Sequence, residues 1–260
     1  MKQYLIDAFS DKIFGGNPAA VCILEQWISD RLMQHIAMEN NLSETAFALK
    51  EGAHYHLRWF TPSHEIELCG HATLATACVL FRFYEPQAQS LHFQTRSGML
   101  EARRSGDAYE IDLPAYTLKP VELSEQMLEL IGTRPLEAVI GRDLLCVLES
   151  EEAVRSYQPD MQKLLLLDGL LLHITAPGTE HDCISRSFAP KVGVPEDPVC
   201  GSGHCHIIPY WQQRTGKTEI RACAASPRGG ALLCRQQGDR VYLKGNAALY
   251  AIAELFLEGV

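Results

Sequence analysis

The chain has 260 residues, 47% hydrophobic and 21% charged, with a formal net charge of −9. That composition belongs to a globular protein of one large domain or two small ones, and the acidic balance argues against a nucleic-acid or anionic-membrane binder, which needs a basic face. Nine cysteines sit at 22, 69, 78, 146, 183, 200, 205, 223 and 234 without a disulfide spacing, no stretch nears 18 consecutive apolar residues, and Met1 to Asp7 lacks the apolar run of a signal peptide, so the expectation is a cytoplasmic protein with free thiols and no membrane span.

Tyr4 to Phe9 reads as a strand, Phe14-Gly15-Gly16-Asn17-Pro18 as a turn, and Ala19 to Leu24 as a second strand. Ser29 is placed to cap a helix running to about Asn40, with Leu32, Met33, Ile36 and Ala37 on one face. Glu44 to Leu49 and His56 to Phe60 read as paired strands. Cys69 to Phe81 is apolar or small on every side, which predicts a buried helix. Strands around one buried helix make a roll and not a doubly wound sheet. Residues 90–113 carry further strand signals, and 114–122 reads as a linker to a second lobe. That lobe has a helix near 124–132, short strands near 137–149 and 168–176, and a second buried helix at 201–216. Strands near 219–223, 230–235 and 239–243 follow, and the tail 247–258 fits strand or helix.

The chain also repeats itself. Arg58-Trp59-Phe60-Thr61-Pro62 precedes Cys69-Gly70, and Arg186-Ser187-Phe188-Ala189-Pro190 precedes Cys200-Gly201. Acidic residues intervene in both copies, Glu65 and Glu67 in one, Glu196 and Asp197 in the other. Three matched elements in one order favour an ancient duplication, with lobes 1–115 and 116–246 and a tail, about 247–260, that returns to the first. Two such lobes would create a cleft for a ligand.

A Cys-Gly turn that opens a helix offers backbone N–H groups and the positive end of a helix dipole, a setting for a carboxylate. The same field favours thiolate at Cys69 and Cys200, although small buried cysteines are also ordinary core residues. His71 follows the first turn; Asp197 precedes and Ser202 follows the second, with His204 and His206 one turn on. Glu44 lies among residues expected to be buried, which suits an acid–base group. The spacing of Cys200, His204, Cys205 and His206 matches no common zinc pattern. No C-x-x-C, P-loop, G-x-G-x-x-G, H-E-x-x-H or G-x-S-x-G occurs.

Asp7-Ala8-Phe9, Gly16-Asn17-Pro18-Ala19-Ala20-Val21, Ser43-Glu44-Thr45-Ala46-Phe47, Phe60-Thr61-Pro62, Cys69-Gly70-His71-Ala72-Thr73 and Glu196-Asp197-Pro198-Val199-Cys200-Gly201-Ser202 together resemble the PhzF-like family of phenazine biosynthesis. The resemblance spans nearly the whole chain. It implies an α+β, diaminopimelate epimerase-like fold: two α/β-roll lobes, each a sheet around a central buried helix. It implies an isomerase without cofactor or metal, acting on a small carboxylate-bearing substrate and assembled as a homodimer. The family's catalytic residues fall on Glu44, His71, Asp197 and Ser202. By analogy Glu44 moves the proton, the other three orient the substrate, and Cys69, Gly70, Cys200 and Gly201 line the carboxylate site.

The chain departs from the family at Cys200, where threonine is usual, so its second turn looks more like the epimerase. His71 stands where the epimerase has asparagine. The region near 133–165 is compressed. Two alternatives therefore accompany the Glu44-dependent isomerase: a racemase or epimerase using Cys69 and Cys200 as paired bases, and a non-catalytic binding protein on the same fold.

Overall fold

The computed structural model describes residues 1–257, and the chain divides into two units, Met1–Asp112 with Lys244–Val260, and Leu113–Leu243. In the first unit the strands are β1 (Lys2–Ala8), β2 (Asn17–Leu24), β3 (Glu44–Glu51), β4 (His54–Phe60), β5 (Glu65–Ile66), β6 (Ser90–Thr95), β7 (Gly98–Ser105) and β8 (Ala108–Pro114), with helices α1 (Asp30–Asn40) and α2 (Gly70–Val79). Ser29 caps α1 by accepting the Leu32 N–H at 3.2 Å, and left-handed Asn41 ends it. Met33, Ile36 and Ala37 then pack on Cys22, Leu24, Phe47 and Phe60.

Every residue of α2 is buried. It packs against β1, β2, β3 and β7, and its small side chains let the sheet approach on all sides. Its two threonines return their hydroxyls to the preceding turn, Thr73 to the Cys69 carbonyl and Thr76 to that of Ala72, so the helix buries no orphaned hydroxyl there.

The second unit contains β9 (Lys119–Val121), α3 (Glu125–Ile131), β10 (Glu137–Ile140), β11 (Leu144–Val147), α4 (Glu151–Ser156), α5 (Met161–Leu164), β12 (Leu172–Pro177), β13 (Cys183–Ala189), β14 (Val194–Asp197), α6 (Gly201–Thr215), β15 (Ile220–Ala224), β16 (Gly230–Gln237) and β17 (Arg240–Gly245). Strand β9 lies inside the segment read as a linker. It pairs antiparallel with β10, but three residues containing a proline show no alternation, as edge strands can. Helices α4 and α5 are too short to show a period; their caps, Ser150 and Asp160, are the only sequence signal. Pro209 sits inside α6 and cannot donate to the Cys205 carbonyl, which accepts the Tyr116 N–H at 3.1 Å instead. Strand β18 (Ala247–Glu254) belongs to the first unit and pairs with β1. A bulge opposite Leu5/Ile6 breaks its two-residue period, which is why its sequence alternates poorly.

The two units repeat one ladder order. In the first, β1–β2 is antiparallel, β2–β3 parallel, β3–β4 and β4–β5 antiparallel, β4–β6 parallel and β6–β7 antiparallel. In the second, the same sequence of directions runs through β10–β11, β11–β12, β12–β13, β13–β14, β13–β15 and β15–β16. Phe60 pairs with Glu65 as Phe188 pairs with Glu196. Arg58 and Arg186 hold those glutamates through Nε and Nη2 and cross the face of the same phenylalanines.

One glycine fixes the entry to β2. Gly16 has φ +62°, and a Cβ there would lie 2.1 Å from the Ala8 carbonyl oxygen. Gly16→Ala is expected to destabilise the protein by at least about 2 kcal/mol, combining left-handed strain with a backbone clash; denaturant unfolding measures it.

Candidate functional site

Glu44, Cys69, Gly70 and His71 come together in the first unit. Glu44 is the first residue of β3 and lies in register with Ala19 of the parallel strand β2. Asn17, the first residue of β2, is therefore at the same end of the sheet, where α2 begins. Glu44 Oε2 stands 3.0 Å from His71 Nε2, its side chain 12% exposed against 2% for the histidine. The pair is close, but its N–H is not aimed along the line joining the atoms, so the contact is electrostatic first. Catalytic contacts often align only around a substrate.

Asn17 fixes the histidine's other nitrogen. Its Nδ2 lies 3.0 Å from His71 Nδ1. An amide NH₂ donates, so Nδ1 accepts and the ring proton sits on Nε2, facing Glu44. Cys69 Sγ is 3.6 Å from the same Nδ1, and Cys69 does not cap α2 with its side chain.

Asp197, Cys200, Gly201 and Ser202 come together in the second unit. Asp197 ends β14, opposite Ser187 of β13, and its Oδ1 accepts the Val199 N–H at 3.1 Å. Cys200 is the N-cap of α6, its Sγ accepting the Gly203 N–H at 3.3 Å and lying 3.5 Å from Ser202 Oγ. The expected thiolate at Cys200 is not favoured. The thiol is buried against Leu171 and Ala189; burial, assisted by Asp197, pushes it well above the usual thiol range. Desolvation outweighs the helix dipole here.

The duplication lets the two groups be compared position by position. Thr45 pairs with Phe60 and Leu172 with Phe188. Glu44 therefore corresponds to Leu171, and His71 to Ser202. The first unit holds a carboxylate beside its turn cysteine; the second holds an apolar side chain there.

A buried polar network that the sequence did not announce stands behind the second turn. Arg142 donates from Nε to Asp143 Oδ1 at 2.9 Å, and from Nη2 to Asp143 Oδ2 at 2.6 Å and Ser202 Oγ at 2.9 Å. His173 spans Asp143 Oδ2 at 3.0 Å and Ser187 Oγ at 2.9 Å. Burial alone would raise the Asp143 carboxyl, but hydrogen bonds from His173 and Arg142 hold it below the usual carboxylate range. His206 Nε2 accepts the Asp143 N–H at 3.1 Å while its Nδ1 donates to the Ser202 carbonyl at 3.2 Å. Asp143, His173 and His206 gather metal-ligand atoms, but the His206 nitrogens are both committed to protein partners and His173 bridges two others. Glu44, Cys69 and His71 also gather such atoms, and the histidine there is engaged by Asn17 and Glu44. Gly141-Arg142-Asp143 was the only local hint of this network.

Residues 6–252 match the family model for phenazine biosynthesis-like proteins. The chain is 47% identical over 258 residues to an uncharacterized isomerase of Pseudomonas aeruginosa, covering 99% of each chain. A crystal structure of a PhzF-family phenazine biosynthesis protein from Enterococcus faecalis superposes with TM-score 0.95 at 47% identity, over 98% of this chain and 99% of that one. A hydroxyproline epimerase from Agrobacterium vitis, 10% identical, shares the fold with TM-score 0.68 over 97% and 91% of the two chains. Among the described residues, no helix is long and apolar enough to cross a membrane.

The buried histidines make stability depend on pH. Burial lowers His204 to about 4 and His206 to about 3. Their folded values lie below the unfolded one, so the unfolded chain binds more protons between about pH 6.5 and 4, and stability falls with pH through that window. Unfolding free energy is expected to drop by about 1 to 2 kcal/mol per histidine from pH 7 to 5. Denaturant titrations at both pH values measure this, and His204→Asn should remove one histidine's share.

Proposed function

Since this chain belongs to the phenazine biosynthesis-like family and is an isomerase, we propose that it moves a proton on a small carboxylate-bearing substrate with Glu44 as the general acid–base. The observation that carries this reading is the Glu44–His71 pair, 3.0 Å apart and nearly shut off from water. Neutral His71, its proton directed to Nε2 by Asn17, presents a positive N–H edge to Glu44 Oε2. Oε2 faces the histidine, so Oε1 is the oxygen that takes the proton from one carbon and returns it to another. One carboxylate serves as base and then acid, and the cycle needs no cofactor.

The rest of the constellation holds the substrate. In the first unit the N-terminus of α2, which Cys69 does not cap, offers amides to a carboxylate. Asp197 and Ser202 orient the substrate. The environment of Cys200 supports one-base chemistry over a two-thiol racemase. A thiol enclosed by Leu171 and Ala189 and raised by burial is a poor base at neutral pH. Leu171 in place of a second carboxylate points the same way.

The test follows solvent deuterium into a panel of small cyclic and α-amino carboxylates by NMR. Glu44→Gln should lower the exchange rate at least about 100-fold, while Cys200→Ser should stay within a few-fold of wild type. Full exchange by Glu44→Gln would refute the proposal; loss of exchange in Cys200→Ser would shift the chemistry to the thiol pair.

A further inference from the structure

Trp59 carries into the first unit a buried N–H that no acceptor meets. The residue is 1% exposed, and its Nε1 has no hydrogen-bond partner among the described residues. The other two tryptophans are served: Trp27 Nε1 donates to Glu51 Oε1 at 3.4 Å, and Trp211 Nε1 to Thr175 Oγ1 at 2.9 Å. A buried indole N–H usually finds an acceptor, and one left without it is destabilising. Filling the core calls for a large side chain at this position but not for a donor.

The sheet places that donor beside Glu44. Phe47 and Phe60 pack with Met33, Ile36 and Ala37 of α1, so their neighbours Ala46 and Trp59 face the other way, toward α2. Trp59 pairs with Ala46, and Glu44 lies two residues from Ala46 on the same face. Trp59 and Glu44 are thus diagonal cross-strand neighbours, a separation that an aromatic side chain spans. Glu44 Oε2 is the matching acceptor. It is buried and, although His71 Nε2 stands 3.0 Å away, it accepts no aligned hydrogen bond. One donor and one acceptor, each unsatisfied, share one face of two paired strands.

The second unit shows that this cross-strand position reaches the first turn of the buried helix. Ala46 and Trp59 correspond to His173 and Ser187, which pair in the same way. A Cβ on Gly203, the third residue of α6, would lie 2.7 Å from His173 Cε1, so the pair is packed against the start of the helix. Its polar atoms are matched there: His173 Nδ1 is 2.9 Å from Ser187 Oγ, and Nε2 is 3.0 Å from Asp143 Oδ2. In the first unit Ala46 stands in place of the imidazole, and the indole N–H is the only side-chain polar group of the pair.

We infer that Trp59 is a positioning residue for Glu44. Its indole N–H donates to Oε2, beside the His71 edge, and so holds Oε1 toward the reacting carbon. The effect on turnover rests on Glu44 being the acid–base; the contact between indole and carboxylate does not.

Nitrogen-15 labelling of the three tryptophans gives three indole N–H signals, and the one lost in Trp59→Phe belongs to Trp59. Glu44→Ala removes the acceptor and is expected to move that proton signal upfield while those of Trp27 and Trp211 stay in place. A Trp59 signal that stays or moves downfield would overturn the inference. On any carboxylate that exchanges with solvent deuterium, Trp59→Phe should lower kcat about 10-fold or more with KM within about 2-fold. Combined with Glu44→Gln it should add no further loss. An unchanged kcat, or a loss carried by KM alone, overturns the positioning role. Should Trp59→Phe not fold, Trp27→Phe and Trp211→Phe assign the signal by elimination, and the Glu44→Ala shift decides. A fully active Glu44→Gln together with that upfield shift would refute the acid–base proposal and leave the indole contact standing.

Discussion

A helix buried on every side must satisfy the polar groups of its first turn from inside the protein. Helix α2 meets this demand in the first unit and α6 in the second, and much of the local chemistry follows from how they do so. The side chain four residues after each turn cysteine returns a hydrogen bond to the cysteine's carbonyl: Thr73 to Cys69, and His204 Nδ1 to Cys200 at 2.7 Å. The residue two after the cysteine is gripped by a polar arm from the second strand's entry, His71 by Asn17 and Ser202 by Arg142. Each turn is thus braced on two sides.

The same frame carries different chemistry because a few side chains differ between the copies. In the first, Glu44 and His71 make a pair able to hold and move a proton. In the second, Leu171 removes the carboxylate, burial neutralises Cys200, and Arg142 brings a cation. Duplication followed by divergence explains this without any new backbone: both copies keep the same ladder directions and the same Arg–Glu–Phe support under the turn.

Much of the frame was legible in the sequence because it rests on local rules. Ser29 before an apolar-periodic run announces α1, and the unbroken small and apolar run after Cys69 announces α2. Fragments such as Ser43-Glu44-Thr45 carried the family resemblance, and the comparisons bear out that family and its fold. The Arg142 network was not legible. Its partners lie 30 and 60 residues apart in the chain, and no spacing encodes a meeting across strands. The state of Cys200 was misread for a related reason: the dipole of a helix is visible in sequence, whereas Leu171 and Ala189 closing over the thiol are known only from packing. Strand β9 and helices α4 and α5 were too short to carry a period.

The account depends on neutral His71 accepting at Nδ1 and carrying its proton on Nε2 toward Glu44. Nitrogen-15 chemical shifts of selectively labelled histidine measure this directly, with His71→Asn used to assign the signal. The account predicts an unprotonated Nδ1 and a protonated Nε2 for His71 near neutral pH. A protonated Nδ1 would contradict it, because the proton would then face Asn17 and Cys69 and not Glu44.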